Sequence, residues 1–261
     1  MSDLRLIDVH AHLQDEKFAD DLPDVVKRAK SAGVTRIVNA GTTVADSRRA
    51  VEIAAKYPGC LALIGIHPHE ASSFNENSVA ELKSLASEPG VIGIGEIGID
   101  FHYDFSPRDV QIKVFKELWQ LAAELQMPAV VHVREAYDAF FEAIVGLPAP
   151  TKVLLHCFSG DLDIARRAVD MNFHFSIGGA LTFPKSDLTR EVFGFLPTNR
   201  IHLETDCPYL APQFKRGKRN EPAYLTAALE QMAKVRRLST SAMAEILNQN
   251  AIELFGTKAG N

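Results

Sequence analysis

Asp8-Val9-His10-Ala11-His12 stands at the end of the apolar run 4–9. On a β-strand alternate side chains share a face, so Asp8, His10 and His12 would project to one side. A His-x-His pair presented this way offers two neutral imidazole nitrogens to one cation, a donor set suited to Zn²⁺ and its borderline neighbours. By itself the same pair could equally line a polar pocket. Further candidate ligands recur downstream, and six of the nine histidines belong to the pattern: after His10 and His12 come His67 and His69, then His132 and His156. Glu96, Asp100, Glu204 and Asp206 add carboxylates to them.

These residues are spaced by a regular alternation of short Val- and Ile-rich runs with longer amphipathic stretches, the pattern of parallel strands linked by helices. Eight strands are expected, at 5–12, 36–41, 61–67, 91–99, 129–133, 152–157, 174–179 and 201–206. A helix over 107–125 would start with Ser106 as its N-cap and Pro107 at its first position. Eight such units imply an α/β fold, a (β/α)8 TIM barrel. It would fill residues 1–261 as a single domain, with a loop over 208–222 and extra C-terminal helices packed on the barrel. An open doubly wound sheet competes, but no GxGxxG follows the first strand. Barrel chemistry gathers at the carboxyl ends of the strands. His10 and His12, His67 and His69, Glu96 and Asp100, His132 and Arg134, His156, and Glu204 and Asp206 all fall at those ends. Unrelated structural histidines would not collect there.

Four histidines (10, 12, 132 and 156) with Glu96 and Asp206 exceed the needs of one tetrahedral ion, which points to two divalent ions sharing a carboxylate. Glu96, set among Gly93, Gly95 and Gly98, is the expected bridge. The imidazoles favour Zn²⁺ or Mn²⁺ while phosphodiester chemistry commonly uses Mg²⁺, so the donor set leaves all three ions as candidates. Asp206 would take the proton of an attacking water or act as a ligand only. Asp8 and Glu204, each two residues before a ligand on the same face, suit orientation of the ligands. His67 and His69 are expected to contact substrate, with a third metal site as the alternative. Arg134 could clamp a phosphate. The segment 214–220 carries Lys215, Arg216, Lys218 and Arg219 and suits a phosphate backbone, with Phe214 or Tyr103 available to stack on a base.

Taken in order, Ile7-Asp8-x-His10-x-His12, Gly65-Ile-His67-Pro68-His69, Gly95-Glu96-Ile-Gly98-Ile-Asp100, His132-x-Arg134, His156-Cys-Phe-Ser-Gly160, Leu203-Glu-Thr-Asp206-x-Pro-Tyr-Leu210 and Arg219-Asn-Glu-Pro222 resemble the TatD-like family of metal-dependent deoxyribonucleases. The resemblance covers essentially the whole chain. It implies that His10, His12, Glu96 and Asp206 hold one metal and Glu96, His132 and His156 the other. It also implies hydrolysis of DNA phosphodiesters with 3′ to 5′ exonuclease polarity; single strands or frayed ends are the expected substrates, because a barrel mouth ringed by loops reaches a chain end more readily than a base-paired interior.

A net charge of −5 gives no global attraction to nucleic acid, so a polyanionic partner must be held locally. The opening MSDLRLIDVH has no basic region followed by a long apolar core, and no stretch approaches a membrane span, so a cytoplasmic protein is expected, as a monomer and with no membrane partner. Cys60, Cys157 and Cys207 lack CxxC spacing and read as reduced structural thiols. His102, His174 and His202 read as core or surface residues, Trp119 as packed in a helix interface, and Ser159 as a turn residue. Two other functions fit the same residues: hydrolysis of a small phosphoester, amide or lactone, and a non-catalytic, metal-stabilised protein that binds nucleic acid or another partner.

Overall fold

The computed structural model describes residues 5–256 and Ala259. Eight strands alternate with helices: β1 Leu6–Ala11, α1 Leu22–Ser31, β2 Val34–Ala40, α2 Val44–Lys56, β3 Cys60–Ile64, α3 Ser78–Leu85, β4 Val91–Asp100, α4 Arg108–Glu124, β5 Ala129–Arg134, α5 Tyr137–Ala143, β6 Val153–Leu155, α6 Leu162–Asp170, β7 His174–Ile177, α7 Asp187–Phe195 and β8 Ile201–Leu203. Two C-terminal helices follow, α8 Leu225–Arg236 and α9 Thr240–Phe255. The strands lie in one sheet in the order β1 to β8, the (β/α)8 barrel arrangement. No described helix is long and apolar enough to cross a membrane.

The described residues form two compact units, one from residues 5–39 with 160–256 and Ala259, and the other from Ala40–Ser159. In the first, β1 pairs with β2 and β7 with β8, all parallel. The ends of β1 and β8 are also joined, because the Asp206 amide donates to the His10 carbonyl at 2.9 Å and the His12 amide to that of Cys207 at 2.8 Å. Helix α9 packs on both of these strands. In the second unit β3, β4, β5 and β6 run parallel in succession.

The residues of β3 and β6 are buried throughout, as parallel strands covered on both faces must be, and they carry only Cys, Leu, Ala, Ile and Val. Helix α4 presents Val114, Phe115, Leu118, Leu121 and Ala122 inward at helical spacing. Trp119 joins this face, and its indole N–H donates to the Pro148 carbonyl at 2.9 Å.

Two local expectations are corrected. β1, β3, β6 and β8 end earlier than their apolar runs suggest, so His12, His67, His156 and Asp206 stand in the first loop residues beyond them, whereas β4 and β5 each run one residue further than expected. The backbone turns off the ladder there, and Cys157 and Asp206 adopt left-handed φ values of 45° and 54°. Helix α4 begins at Arg108 without a side-chain cap. The Ser106 hydroxyl is used elsewhere: it donates to the His69 carbonyl at 2.8 Å and accepts the Ser72 amide at 3.0 Å.

Candidate metal centre

Within the first unit, β1 and the turn after β8 bring three ligand atoms together. Nε2 of His10 and Nε2 of His12 lie 3.2 Å apart, and Oδ1 of Asp206 is 3.9 Å and 3.3 Å from them. Both histidines are buried. Two imidazole lone pairs facing each other at this distance repel unless a proton or cation sits between them. Metal–nitrogen bonds of about 2.0–2.1 Å in a tetrahedral site hold ligand atoms about 3.4 Å apart, so the observed spacing suits a metal ion.

Asp206 is held in place through its neighbours. The Asp8 carboxylate accepts the Thr205 amide at 2.9 Å and the Thr205 hydroxyl at 2.5 Å, so Asp8 fixes the residue before Asp206. Burial pushes the Asp8 carboxyl up to about 8, an effect that the Thr205 hydroxyl and amide partly oppose. Glu204 accepts the Ser176 hydroxyl at 2.6 Å. From the other side, the buried Asn220 amide donates to the Thr205 carbonyl at 2.7 Å. Its neighbours close a clasp: Glu221 receives Arg28 through two nitrogens, and Arg219 grips both oxygens of Asp21 at 2.7 and 2.8 Å while lying over the Phe18 ring. The basic segment is therefore divided. Arg219 is engaged in this structural clasp, whereas Arg216 and Lys218 are exposed and Lys215 is half-buried. Arg216 lies over Phe183, and Phe214 sets its ring edge-on to Tyr224.

Within the second unit three imidazoles surround one carboxylate oxygen. Oε1 of buried Glu96 is 2.7 Å from Nε2 of His156, 3.1 Å from Nδ1 of His132 and 3.2 Å from Nε2 of His67. His132 and His156 approach each other at 3.2 Å. The peptide spacing of β4 against β5 makes this possible at Gly98, whose φ is 152° and where a Cβ would meet the His132 carbonyl oxygen at 1.9 Å.

The outer nitrogens sort these imidazoles by role. Nε2 of His132 faces Oδ2 of Asp100 at 2.9 Å, so its proton is drawn there and Nδ1 keeps a lone pair toward Glu96. His67 is arranged the other way. Its Nδ1 accepts the His69 amide at 3.1 Å, which leaves the proton on Nε2, pointing at Glu96. Burial lowers the His67 imidazole to about 4, despite the nearby Glu96 charge, which keeps the ring neutral. His69 in turn reaches Asp100 Oδ2 at 3.0 Å.

Asp100 was visible in the sequence only as an acid at a strand end, without a role. Here it is buried, and its Oδ1 also accepts the His102 and Tyr103 amides at 2.9 Å each. Burial favours its neutral form, but the hydrogen bonds from His132, His69 and the Tyr103 amide outweigh that and hold the carboxyl well below the usual carboxylate range. Thr205 and Asn220 were likewise unassigned, because nothing in their local pattern distinguishes a loop brace from an ordinary loop residue.

A model of TatD-related DNases matches residues 7–256. The chain belongs to the TatD-related DNase family. Among similar proteins, the uncharacterized metal-dependent hydrolase YabD of Bacillus subtilis is 38% identical, covering 96% of this chain and 98% of that protein. The 3′-5′ ssDNA/RNA exonuclease TatD of Salmonella typhimurium is 36% identical over 96% of this chain and 98% of its own length. The crystal structure of YjjV, a TatD homologue from Escherichia coli K12, superposes with a TM-score of 0.91 at 28% identity, covering 97% of this chain and 98% of that one. As a TatD-family protein the chain is a metal-dependent hydrolase, and its candidate metal-holding groups are of the imidazole–carboxylate type such an enzyme requires.

The remaining residues have structural surroundings. His102 pairs with Glu135 at 2.7 Å, and His174 with His202 at 2.9 Å in the core. Ser159 donates its amide to the Tyr137 hydroxyl. The cysteines are free thiols; Cys60 and Cys207 are buried, and burial pushes the Cys207 thiol up.

Proposed function

We propose that residues 1–261 work as one two-metal exonuclease that removes nucleotides from the 3′ end of single-stranded or frayed DNA. The observation carrying this reading is the pair of ligand groups, His10–His12–Asp206 and His132–His156–Glu96, each with imidazole nitrogens converging on a carboxylate at metal-ligand spacing. The names of the Salmonella relative and of the family favour a phosphodiester substrate over an amide or lactone.

In this reading the His10–His12–Asp206 group holds one ion and the Glu96–His132–His156 group the other. Two divalent ions, when bound, supply Lewis acidity that activates water and offsets charge on the attacking and leaving oxygens. Asp206 accepts the proton of the attacking water. The Thr205–Asp8 and Thr205–Asn220 hydrogen bonds hold its carboxylate in the required orientation. His67 donates from Nε2 to Glu96 and fixes the orientation of that carboxylate. Asp100 sets the tautomer of His132. Lys215, Arg216 and Lys218 attract the strand's phosphates, and Arg219 holds the loop that carries them.

The test is cleavage of 3′-labelled and 5′-labelled single-stranded DNA by metal-stripped protein resupplied separately with Mg²⁺, Mn²⁺ or Zn²⁺, with Glu96→Ala in parallel. Metal-dependent shortening from the 3′ end that is lost in Glu96→Ala is the expected result. Failure to cut DNA with any ion, combined with hydrolysis of a small ester or amide, would replace the nuclease reading.

A further inference from the structure

The loop after β4 exposes two aromatic side chains that the core does not need. Tyr103 is 43% and Phe105 69% accessible. They do not lie loosely on the surface. Their rings stack with centroids 5.3 Å apart and an interplanar angle of 2°. The Arg134 guanidinium covers Tyr103 at 5.0 Å and is committed to no carboxylate among the described residues. Exposed apolar rings in a rigid parallel stack are unfavourable in water, and their cost is recovered when a further flat surface covers them.

Two anchors make the stack rigid and place it. Asp100 Oδ1 accepts the His102 and Tyr103 amides, and the Ser106 hydroxyl ties the far end of the loop to the His69 carbonyl. The other oxygen of Asp100 binds His132 and His69. One buried carboxylate therefore positions both an imidazole of the Glu96 group and the base of the aromatic stack. The stack also touches that group directly: His69 lies edge-on to Phe105 at 4.9 Å and to Tyr103 at 5.7 Å, and is itself 4.4 Å from His67.

We propose that the Tyr103–Phe105 stack is a nucleobase platform, on which the base of an unpaired nucleotide beside the scissile phosphate lies against Phe105, backed through Tyr103 by Arg134. This inference rests on the nuclease reading and specifies how that site selects unpaired strands. A base inside a duplex is stacked on both faces and cannot lie on Phe105 until the strand frays at that nucleotide. Arg134 adds a positive charge beneath the stack, consistent with a ligand whose backbone is anionic.

The experiment compares single-stranded oligonucleotides carrying either a normal base or an abasic tetrahydrofuran unit at the 3′ end, cut by wild type, Phe105→Ala, Tyr103→Ala and Phe105→Trp. Base stacking on an aromatic side chain is worth about 1–3 kcal/mol, so kcat/KM should fall roughly 5- to 150-fold when either the base or the Phe105 ring is removed. Removing both should cost no more than removing one, and Phe105→Trp should restore cleavage. Binding of a 3′-terminal 2-aminopurine strand to the metal-bound protein supplies a second readout: wild type quenches its fluorescence and Phe105→Ala does not. Normal cleavage by Phe105→Ala, or equal losses on normal and abasic strands, overturns the platform while leaving the nuclease intact. Quenching that depends on Phe105, without cleavage of any strand, keeps the platform and removes the nuclease reading. Neither binding nor cleavage by wild type overturns both.

Discussion

Replacing Asp100 by Asn tests the tautomer argument with almost no change of shape. Asp100 accepts four hydrogen bonds, two backbone amides at Oδ1 and the Nε2 atoms of His132 and His69 at Oδ2, all at 2.9–3.0 Å. An Asn can keep its oxygen toward the amides, which leaves its NH₂ facing two imidazole nitrogens that now meet a donor. His132 then either loses this bond or moves its proton to Nδ1, the atom that faces Glu96. A hydrogen bond to a charged group contributes about 1.5–3 kcal/mol, so affinity for the ion held by His132 should fall roughly 10- to 150-fold. This agrees with the roughly 10- to 100-fold losses typical when a ligand's hydrogen-bond partner is removed. The ion proposed at the His10–His12–Asp206 group should be affected little. Titration of metal-stripped protein against a fluorescent chelator should therefore show one weakened and one retained site, and excess metal should restore activity. Melting of the metal-free variant separates this effect from damage to the fold. Two affinities within twofold of wild type would refute the reasoning, as would an equal loss at both sites.

Gly98→Ala should be costly, because its Cβ would stand 1.9 Å from the backbone oxygen of His132 at a φ of 152°. A loss of about 3 kcal/mol corresponds to roughly 10 °C in melting temperature for a chain of this size, and an unchanged melting curve would contradict the packing. Arg219→Ala should cost about 1 kcal/mol near neutral pH, because both it and Asp21 remain partly exposed. The Arg219 hydrogen bonds hold the Asp21 carboxyl below its usual range, so the pair's contribution is complete above about pH 4 and fades as pH falls toward the lowered folded value. The wild-type and Arg219→Ala denaturation midpoints should accordingly converge in acid, and a constant gap would exclude this origin. The triple variant Lys215→Ala, Arg216→Ala, Lys218→Ala should reduce the salt dependence of single-strand binding, by about 0.7 in log–log slope for each phosphate that is no longer neutralised. An unaltered slope would remove those residues from the DNA interface.

Residues that act where the chain alternates were legible, and residues that act through a fold-dependent contact were not. His10 and His12 converge because the period-two alternation of β1 carries one residue past its end at Ala11, and their Nε2 atoms lie 3.2 Å apart. The eight-strand order was legible for the same reason, since buried parallel strands such as Cys60–Ile64 leave an apolar run in the sequence. Strand ends were less accurate, because the apolar run continues into Cys157 and Phe158 after the backbone has left the ladder at Leu155. Charge type alone misleads at Arg219: a basic run after β8 suggests phosphate, but Asp21 lies 198 positions earlier and no local pattern reveals the pairing. Ser106-Pro107 is a good helix start by local chemistry, yet Ser72 and His69 compete for its hydroxyl and win.

The same distinction bears on specificity. Water activation depends on the imidazole and carboxylate sets, and those would serve an amide, a lactone or a diester alike. Features that discriminate must lie outside the ligands, where the structure offers two of different physical kinds. The basic segment, in the proposed reading, would act on any phosphate backbone and weaken with salt. The Tyr103–Phe105 stack acts on a flat, unpaired ring, and burial of apolar area is not screened by salt. Raising ionic strength should therefore weaken binding of normal and abasic strands in parallel, while the ratio between them, set by the stack, stays constant. A ratio that collapsed with salt would show that the discrimination comes from charge at Arg134 rather than from the rings.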